Sequence, residues 1–180
     1  MRERMTKHIL TISIFLAGAV GLQAQNNPLS AEAKRFYEGT RNNLMRAAEK
    51  VPEADYGFRP TPDVRTFGEE VAHAAEWQMI ACSAAKGEQQ PNPAAGKTSK
   101  GDVIAALKAS SDYCDAVYAA LTDATATQTV KFLGRDISRL GALIFNVGHN
   151  NETYGTMVPY MRLKNIVPPT SEPRGAGKKQ

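Results

Sequence analysis

The sequence predicts an all-α protein, a four-helix bundle with a short hairpin or lid between its third and fourth helices. Four stretches of about 20 residues place apolar side chains at the three-and-four spacing of a helix. Only one stretch alternates as a pair of strands would. Amphipathic helices must bury their apolar faces, and four of them pack as a bundle. Two long connections, 51–65 and 122–137, argue against a simple up-down-up-down order.

The first 24 residues are predicted to be an export signal. A basic region contains Arg2, Arg4, Lys7 and His8, an apolar stretch follows from Ile9 to Leu22, and Ala24 is a suitable cleavage residue. The apolar run of about 14 residues is short for a membrane span. We therefore expect a mature chain that begins near Gln25 and is exported to the periplasm or secreted. No stable membrane insertion is expected after cleavage.

Local signals place the first two helices. Ser30 is the predicted N-cap of the first helix, which runs to about Lys50. The linker 51–65 holds three prolines and is predicted to be loop-like. Thr66 then caps the second helix, and Gly87 ends it.

The second half of the chain follows the same logic. Ser99 or the pair Gly101-Asp102 begins the third helix. Residues 127–137 alternate β-forming side chains around a Gly134 turn and predict a hairpin. Ser138 begins the fourth helix. The predicted helices therefore cover about 31–50, 67–86, 99–121 and 138–163.

Length and charge limit the domain organisation and the class of partner. Without the signal about 155 residues remain, enough for one domain with one core, assigned to 25–169. The Gly/Lys-rich end, 170–180, is predicted to be disordered. The formal charge of +4 comes from the two ends, since the remainder holds 16 basic and 16 acidic residues. A neutral body lacks the basic surface that nucleic-acid binding requires, so no nucleic-acid partner is expected.

Two cysteines allow two states. Cys82 and Cys114 would lie in an oxidising compartment after export, where a disulfide can form. Both also fall within apolar helical stretches, where buried free thiols are common. The sequence leaves both states open.

The candidate site consists of two histidines. His73 and His149 are the only histidines outside the signal, and helical spacing puts both on inner faces. Bundles build metal sites from imidazoles and carboxylates on facing helices. Glu76 and Glu152 each follow a histidine by three residues and are the weaker candidate ligands. Thr153, a poor zinc or nickel ligand, lies on the His149 face.

Structural roles are the alternative for each of these groups. Either histidine could be hydrogen-bonded within the core, for example to Tyr160 or Glu76. Trp77 is assigned to the core, as is the pair Met157 and Met161. Arg59 and Arg162 could bind an anion, although exposed arginines are usually solvated or ion-paired.

Three segments resemble the DinB/YfiT-like superfamily in combination. They are Tyr-Gly-Phe-Arg-Pro-Thr-Pro-Asp-Val-Arg-Thr-Phe-Gly-Glu-Glu-Val-Ala-His at 56–73, Cys-Ser-Ala-Ala-Lys-Gly at 82–87, and the segment 145–169, which begins Phe-Asn-Val-Gly-His-Asn-Asn-Glu. The resemblance covers nearly all of the mature chain, from about Leu29 to Pro169.

The resemblance implies a bundle with up-down-down-up connectivity. Many members of this superfamily hold zinc or nickel on three histidines, one on helix 2 and a His-x-x-x-His pair on helix 4. Transferred to this chain, His73 and His149 match two of these ligands, whereas Thr153 occupies the position of the third. Some members are thiol-dependent transferases or hydrolases. We therefore expect a degenerate metal site with weak or absent zinc or nickel, and no organic cofactor.

Three hypotheses for the function follow. The first is an exported small-molecule-binding or stress-related accessory protein with a degenerate metal site. The second is a divalent-metal-dependent thiol transferase or hydrolase that uses His73, His149 and a carboxylate. The third is a structural homodimer with a vestigial pocket. The sequence identifies no catalytic residue.

Overall fold

The computed structural model describes residues 27–173, and the predicted export signal lies outside them. Four long helices and a two-stranded antiparallel hairpin make up the fold. No helix in the described part of the chain is both long and apolar enough to cross a membrane. The elements are α1 (Pro28–Lys50), α2 (Phe67–Lys86), α3 (Lys100–Ala120), α4 (Asp123–Ala126), β1 (Thr129–Phe132), β2 (Arg135–Ser138) and α5 (Arg139–Leu163).

Most helix ends follow the predicted local signals. Thr66 and Glu69 form a reciprocal capping box at the start of α2, and Gly87 ends that helix with φ 76°. Ser99 caps α3, and Ser138 caps α5. At each of these starts a side-chain oxygen close in sequence accepts one free N–H group of the first turn, so these ends depend little on the rest of the fold.

The predicted start of α1 is wrong. The helix begins at Pro28, whose missing N–H costs nothing in a first turn. Ser30 is buried instead, and its N–H and its hydroxyl both donate to the Asp123 carboxylate, each at 2.8 Å. The serine therefore connects α1 to the short helix α4, an element that the sequence does not predict.

Contacts between the helices establish the topology. Gln78 lies beside Ser110, and Cys82 lies beside Cys114, so α2 and α3 run parallel. Arg139, at the start of α5, donates to the Ala85 carbonyl near the end of α2. His149, further along α5, contacts His73 nearer the start of α2, so α5 runs antiparallel to α2.

The remaining helix completes the arrangement. At one end of α1, Ser30 contacts Asp123 just beyond α3, and at the other end Lys100 donates to the carbonyls of Glu49 and Val51. The first helix is therefore antiparallel to α3. These directions give the up-down-down-up bundle that the resemblance implies, with α2 packed between α3 and α5.

The hairpin between α4 and α5 is confirmed. Its strands pair antiparallel, from Thr129 opposite Ser138 to Phe132 opposite Arg135. Gly134 takes a positive φ of 77° at the turn. The strands contact α2 and α5, so the hairpin covers one side of the interface between these helices.

The tail is ordered further than predicted. Residues 170–173 belong to the described structure, where Pro169–Ser171 forms a 3-10 turn. The Tyr154 hydroxyl accepts from the Thr170 N–H at 3.1 Å, and Glu172 pairs with Arg46 and Lys50. Composition alone misses these partners on α1 and α5, so the prediction of disorder is wrong for 170–173. Residues 174–180 lie outside the described structure.

The two cysteines form a disulfide. Cys82 of α2 and Cys114 of α3 are both fully buried and bonded to each other. The bond lies in an apolar cluster with the stacked rings of Tyr37 and Tyr118, whose centroids are 4.1 Å apart. Of the two states that the sequence leaves open, the structure contains the oxidised one.

Candidate histidine site

The two histidines meet at the interface between α2 and α5. The Nε2 atoms of His73 and His149 are 3.1 Å apart, and both side chains are partly buried. The alternative hydrogen bond from a histidine to Tyr160 is not formed, because the Tyr160 hydroxyl donates to the Arg65 carbonyl at 3.0 Å. The predicted inward orientation therefore brings the histidines into direct contact. We call them the histidine pair.

Aromatic rings surround the histidine pair. Trp77 stacks on His149 with centroids 5.1 Å apart and meets His73 edge-on at 6.0 Å. Phe145 also stacks on His149, with centroids 5.8 Å apart. Phe132 of the hairpin packs edge-on against Phe145 at 4.9 Å. The sequence pattern assigns Trp77 to the core, whereas the structure makes it part of the site. A local signal exists, since Trp77 follows His73 by four residues and Phe145 precedes His149 by four.

The surroundings keep both imidazoles neutral. Burial, together with the nearby charges of Arg65 and His149, lowers the pKa of His73 to about 4. Burial also lowers the pKa of His149, while the Glu152 carboxylate opposes that shift. At neutral pH one imidazole of the pair can therefore donate the hydrogen bond and the other can accept it.

Thr153 lies on the far side of the His149 ring. Its hydroxyl is buried and is 3.5 Å from Nδ1 of His149, whereas His73 faces Nε2. At that distance the contact is at most a weak hydrogen bond. The hydroxyl can help to orient His149, but it does not share the point where the two Nε2 atoms meet.

The remaining candidate ligands do not complete a metal site. Glu76 lines the cavity beside His73, and Glu152 is exposed. Among residues 27–173 no group of three or more His, Cys, Asp or Glu side chains is placed to hold a metal ion. Two imidazole nitrogens on one tetrahedral zinc would be roughly 3.3–3.4 Å apart, close to the spacing of the histidine pair. Two ligands thus fit a metal, but the third protein ligand of a catalytic zinc site is missing.

A cavity of about 500 Å³ opens beside His73. This size is typical of small-molecule sites. Arg65 on its wall approaches the buried Glu70 carboxylate, with Nη1 and Oε1 3.5 Å apart. Burial raises the pKa of Glu70, and Arg65 opposes that shift. The cavity is lined by Arg59, Pro62, Asp63, Val64, Arg65, Glu69, Ala72, His73, Glu76, Asn92 and Ala94.

A second polar cluster lies deeper between α2, α3 and α5. Gln78 is fully buried, accepts from Asn150 Nδ2 at 3.2 Å, and lies 3.3 and 3.4 Å from the hydroxyls of Ser110 and Ser111. Asn146 donates to the Tyr118 hydroxyl at 3.3 Å. We call Gln78, Ser110, Ser111, Asn146 and Asn150 the core network. The sequence carries no clear sign of it, because isolated polar residues inside helices are usually exposed.

Comparison with known proteins identifies the family. The model of the DinB superfamily matches residues 37–157. The chain belongs to the DinB superfamily. The resemblance inferred from the sequence motifs is thereby confirmed. No curated protein matches this DinB-superfamily chain.

Solved structures show the same fold at low sequence identity. A DinB-like protein from Bacillus cereus ATCC 10987 has a TM-score of 0.68 at 16% identity, covering 77% of this chain and 95% of that one. A DinB-like protein from Bacillus subtilis has a TM-score of 0.63 at 18% identity, covering 79% and 99%. The mycothiol-dependent maleylpyruvate isomerase has a TM-score of 0.58 at 14% identity, covering 71% and 60%. Identities this low establish the shared fold alone.

Proposed function

We propose that this DinB-superfamily protein binds a small organic molecule in the cavity beside His73, with the histidine pair as a neutral hydrogen-bonding group. The observation that carries the proposal is the pair itself. Two imidazoles meet at 3.1 Å next to a 500 Å³ cavity, and the described residues supply no third metal ligand. The site therefore has the polar groups of a binding pocket without a complete metal centre.

Such a pair can recognise a ligand through hydrogen bonds and can exchange protons with it. A neutral imidazole carries one N–H donor and one acceptor nitrogen, so the pair can satisfy a ligand hydroxyl, carbonyl or amine. Trp77 and Phe145 both pack against the ring of His149 and against each other. A hydrogen bond formed beside such rings is stronger than one formed in open water.

The competing function is a divalent-metal-dependent thiol transferase or hydrolase. Two observations favour it: the spacing of the two Nε2 atoms, and the fold shared with a mycothiol-dependent isomerase. It requires a third ligand, for which Glu76 or Glu152 would have to move. The residues as placed do not fit such a site.

Metal analysis separates the two functions. We expect untagged protein to hold well below one zinc or nickel ion per chain, even after incubation with either metal. Thr153→His should bind zinc at least tenfold more tightly, because it restores a third imidazole to a scaffold that already presents two. His149→Ala in the Thr153→His background is the matched control and should lose that gain. One tightly bound ion per wild-type chain, removed by His149→Ala, would support the metal-dependent enzyme instead.

Binding is tested separately, by ligand-observed NMR with a mixture of small carboxylic acids, amines, amino acids and thiols. We expect at least one member to bind wild type and to lose binding in His73→Gln. Gln90→Ala, an exposed loop change outside the cavity, is the control. If no member of the mixture is affected by His73→Gln, the histidine pair is not part of a ligand site.

Export remains part of the proposal. The basic and apolar composition of residues 1–24 supports it, as does the buried disulfide, since such bonds persist in oxidising compartments. Intact mass measurement of the protein from its native host should show a chain that begins near Gln25. A cytosolic full-length chain would contradict export.

A further inference from the structure

The cavity beside His73 carries fixed charges of both signs. Arg59, Asp63 and Arg65 come from the loop before α2, while Glu69 and Glu76 line the same cavity from α2. A ligand with only a negative charge would face these carboxylates, and one with only a positive charge would face both arginines. A small molecule with both charges is the best complement to this lining.

Arg65 is held in position for an anionic group. Its carbonyl accepts from the Tyr160 hydroxyl at 3.0 Å, which fixes the backbone. Its Nη1 lies 3.5 Å from the buried Glu70 carboxylate, yet half of the side chain stays exposed. A guanidinium anchored on one side presents its remaining donors as a fork that matches a carboxylate.

The three carboxylates are not equivalent. Glu69 accepts from the Thr66 N–H at 2.6 Å, and this bond lowers its pKa, so its charge belongs to the α2 cap. Glu76 is partly buried, lies three residues after His73 and serves no cap. Asp63 is exposed on the loop. Glu76 is therefore the acid best placed to meet a cationic group near the histidine pair.

We propose that this cavity binds small zwitterions with an amino-acid-like head group. The carboxylate meets Arg59 and Arg65, the ammonium meets Glu76, and the remainder of the molecule extends toward the histidine pair. This assignment rests on the proposed function, because it names the ligand class of the same cavity. It adds Arg59 and Arg65 as specificity determinants, which the metal-site pattern of the sequence does not contain, and it gives Glu76 the role of an ammonium-binding group.

Three probes of matched shape test the assignment by isothermal titration calorimetry at pH 7. L-phenylalanine carries both charges, 3-phenylpropionate only the negative one, and 2-phenylethylamine only the positive one. We expect L-phenylalanine to bind at least about tenfold more tightly than either of the others, since each of those two leaves the cavity groups of one charge unmatched.

The variants should shift this preference in opposite directions. Arg65→Gln should weaken the binding of L-phenylalanine about tenfold, so that its affinity equals that of 2-phenylethylamine. Glu76→Gln should make the affinity for L-phenylalanine equal to that for 3-phenylpropionate. Arg59→Gln repeats the first test without disturbing Glu70, in case Arg65→Gln unfolds. Arg35→Gln, on the exposed face of α1, is the control and should change nothing.

The outcomes distinguish this assignment from the proposed function. If 3-phenylpropionate or 2-phenylethylamine binds as tightly as L-phenylalanine, the zwitterion assignment is overturned while the cavity remains a ligand site. If none of the three binds at millimolar concentration, the assignment is also overturned. The proposed function then depends on the separate NMR screen and its His73→Gln variant.

Discussion

The core network and the histidine pair are two polar clusters that share one helix interface, and they differ in burial. Both involve side chains of α2 and α5. The core network is fully enclosed next to the disulfide, with Gln78 and Asn150 completely buried. The histidine pair is only partly buried, has aromatic neighbours and borders a cavity.

This difference separates a structural role from a binding role. Buried amides must satisfy one another, because an unpaired polar group inside a protein is costly. In the core network the Oδ1 atoms of Asn146 and Asn150 still lack a protein partner within residues 27–173. His73 can exchange its hydrogen bond to His149 for one to a ligand at lower cost, because His73 already lines the cavity. We therefore expect changes in the core network to reduce stability and changes in the histidine pair to alter binding.

The largest expected effect comes from the disulfide. Cys82→Ala combined with Cys114→Ala should lower the free energy of unfolding by about 3–4 kcal/mol, because the bond closes a chain segment of 32 residues. Urea unfolding monitored by circular dichroism measures the loss. Ligand binding at the histidine pair should persist below the transition. A loss under about 1 kcal/mol would mean that the bond adds little to the packed core.

Disrupting the core network should lower the free energy of unfolding by somewhat less than removal of the disulfide does. Gln78→Ala removes the acceptor for Asn150 Nδ2 and leaves a space in a fully buried region. We expect a loss of about 2–3 kcal/mol by urea unfolding. Gln90→Ala, an exposed change of the same kind, should stay within about 0.5 kcal/mol of wild type. Equal losses of stability in the two variants would contradict a structural role for the core network.

The histidine pair should make stability depend on pH. The pKa of His73 is about 4 in the fold and near 6.5 in the unfolded chain, so the unfolded state binds more protons between these values. The free energy of unfolding is therefore at its full value above about pH 6.5 and falls as the pH decreases toward 4. Partial exposure limits the loss to the order of 1–2 kcal/mol.

Unfolding curves between pH 7 and pH 4 test this dependence. His73→Gln should flatten it, because a glutamine does not titrate. The same slope in the variant and in wild type would assign the dependence to other groups, such as the carboxylates.

The smallest effect is expected at Thr153. Thr153→Val keeps the shape and removes a hydroxyl that lies 3.5 Å from His149 Nδ1. Because a contact of that length is weak, we expect a change of about 0.5 kcal/mol or less in stability. Binding at the cavity should be unaffected. A large loss of binding would show that the hydroxyl orients His149 more strongly than its distance indicates.

Local features of the sequence predicted much of this fold. Thr66, Gly87 and Ser138 mark helix ends through hydrogen bonds or backbone angles that depend on near neighbours. The hairpin at Gly134 is local in the same sense. The family motifs added the up-down-down-up order, and helical spacing placed His73 and His149 on inner faces. What the motifs imply about metal binding stays a prediction.

Tertiary structure decided the contacts between residues far apart in the chain. Ser30 has the character of a helix cap, but Asp123 draws it into a contact with α4. Only packing shows that Gln78 belongs to a buried network, or that Arg65 lies beside Glu70 and the histidine pair. By itself the sequence determined where the helices and the hairpin lie, since caps, turns and apolar spacing act within a few residues. The fold decided which polar side chains are enclosed and which face a cavity, because burial depends on how all four helices pack.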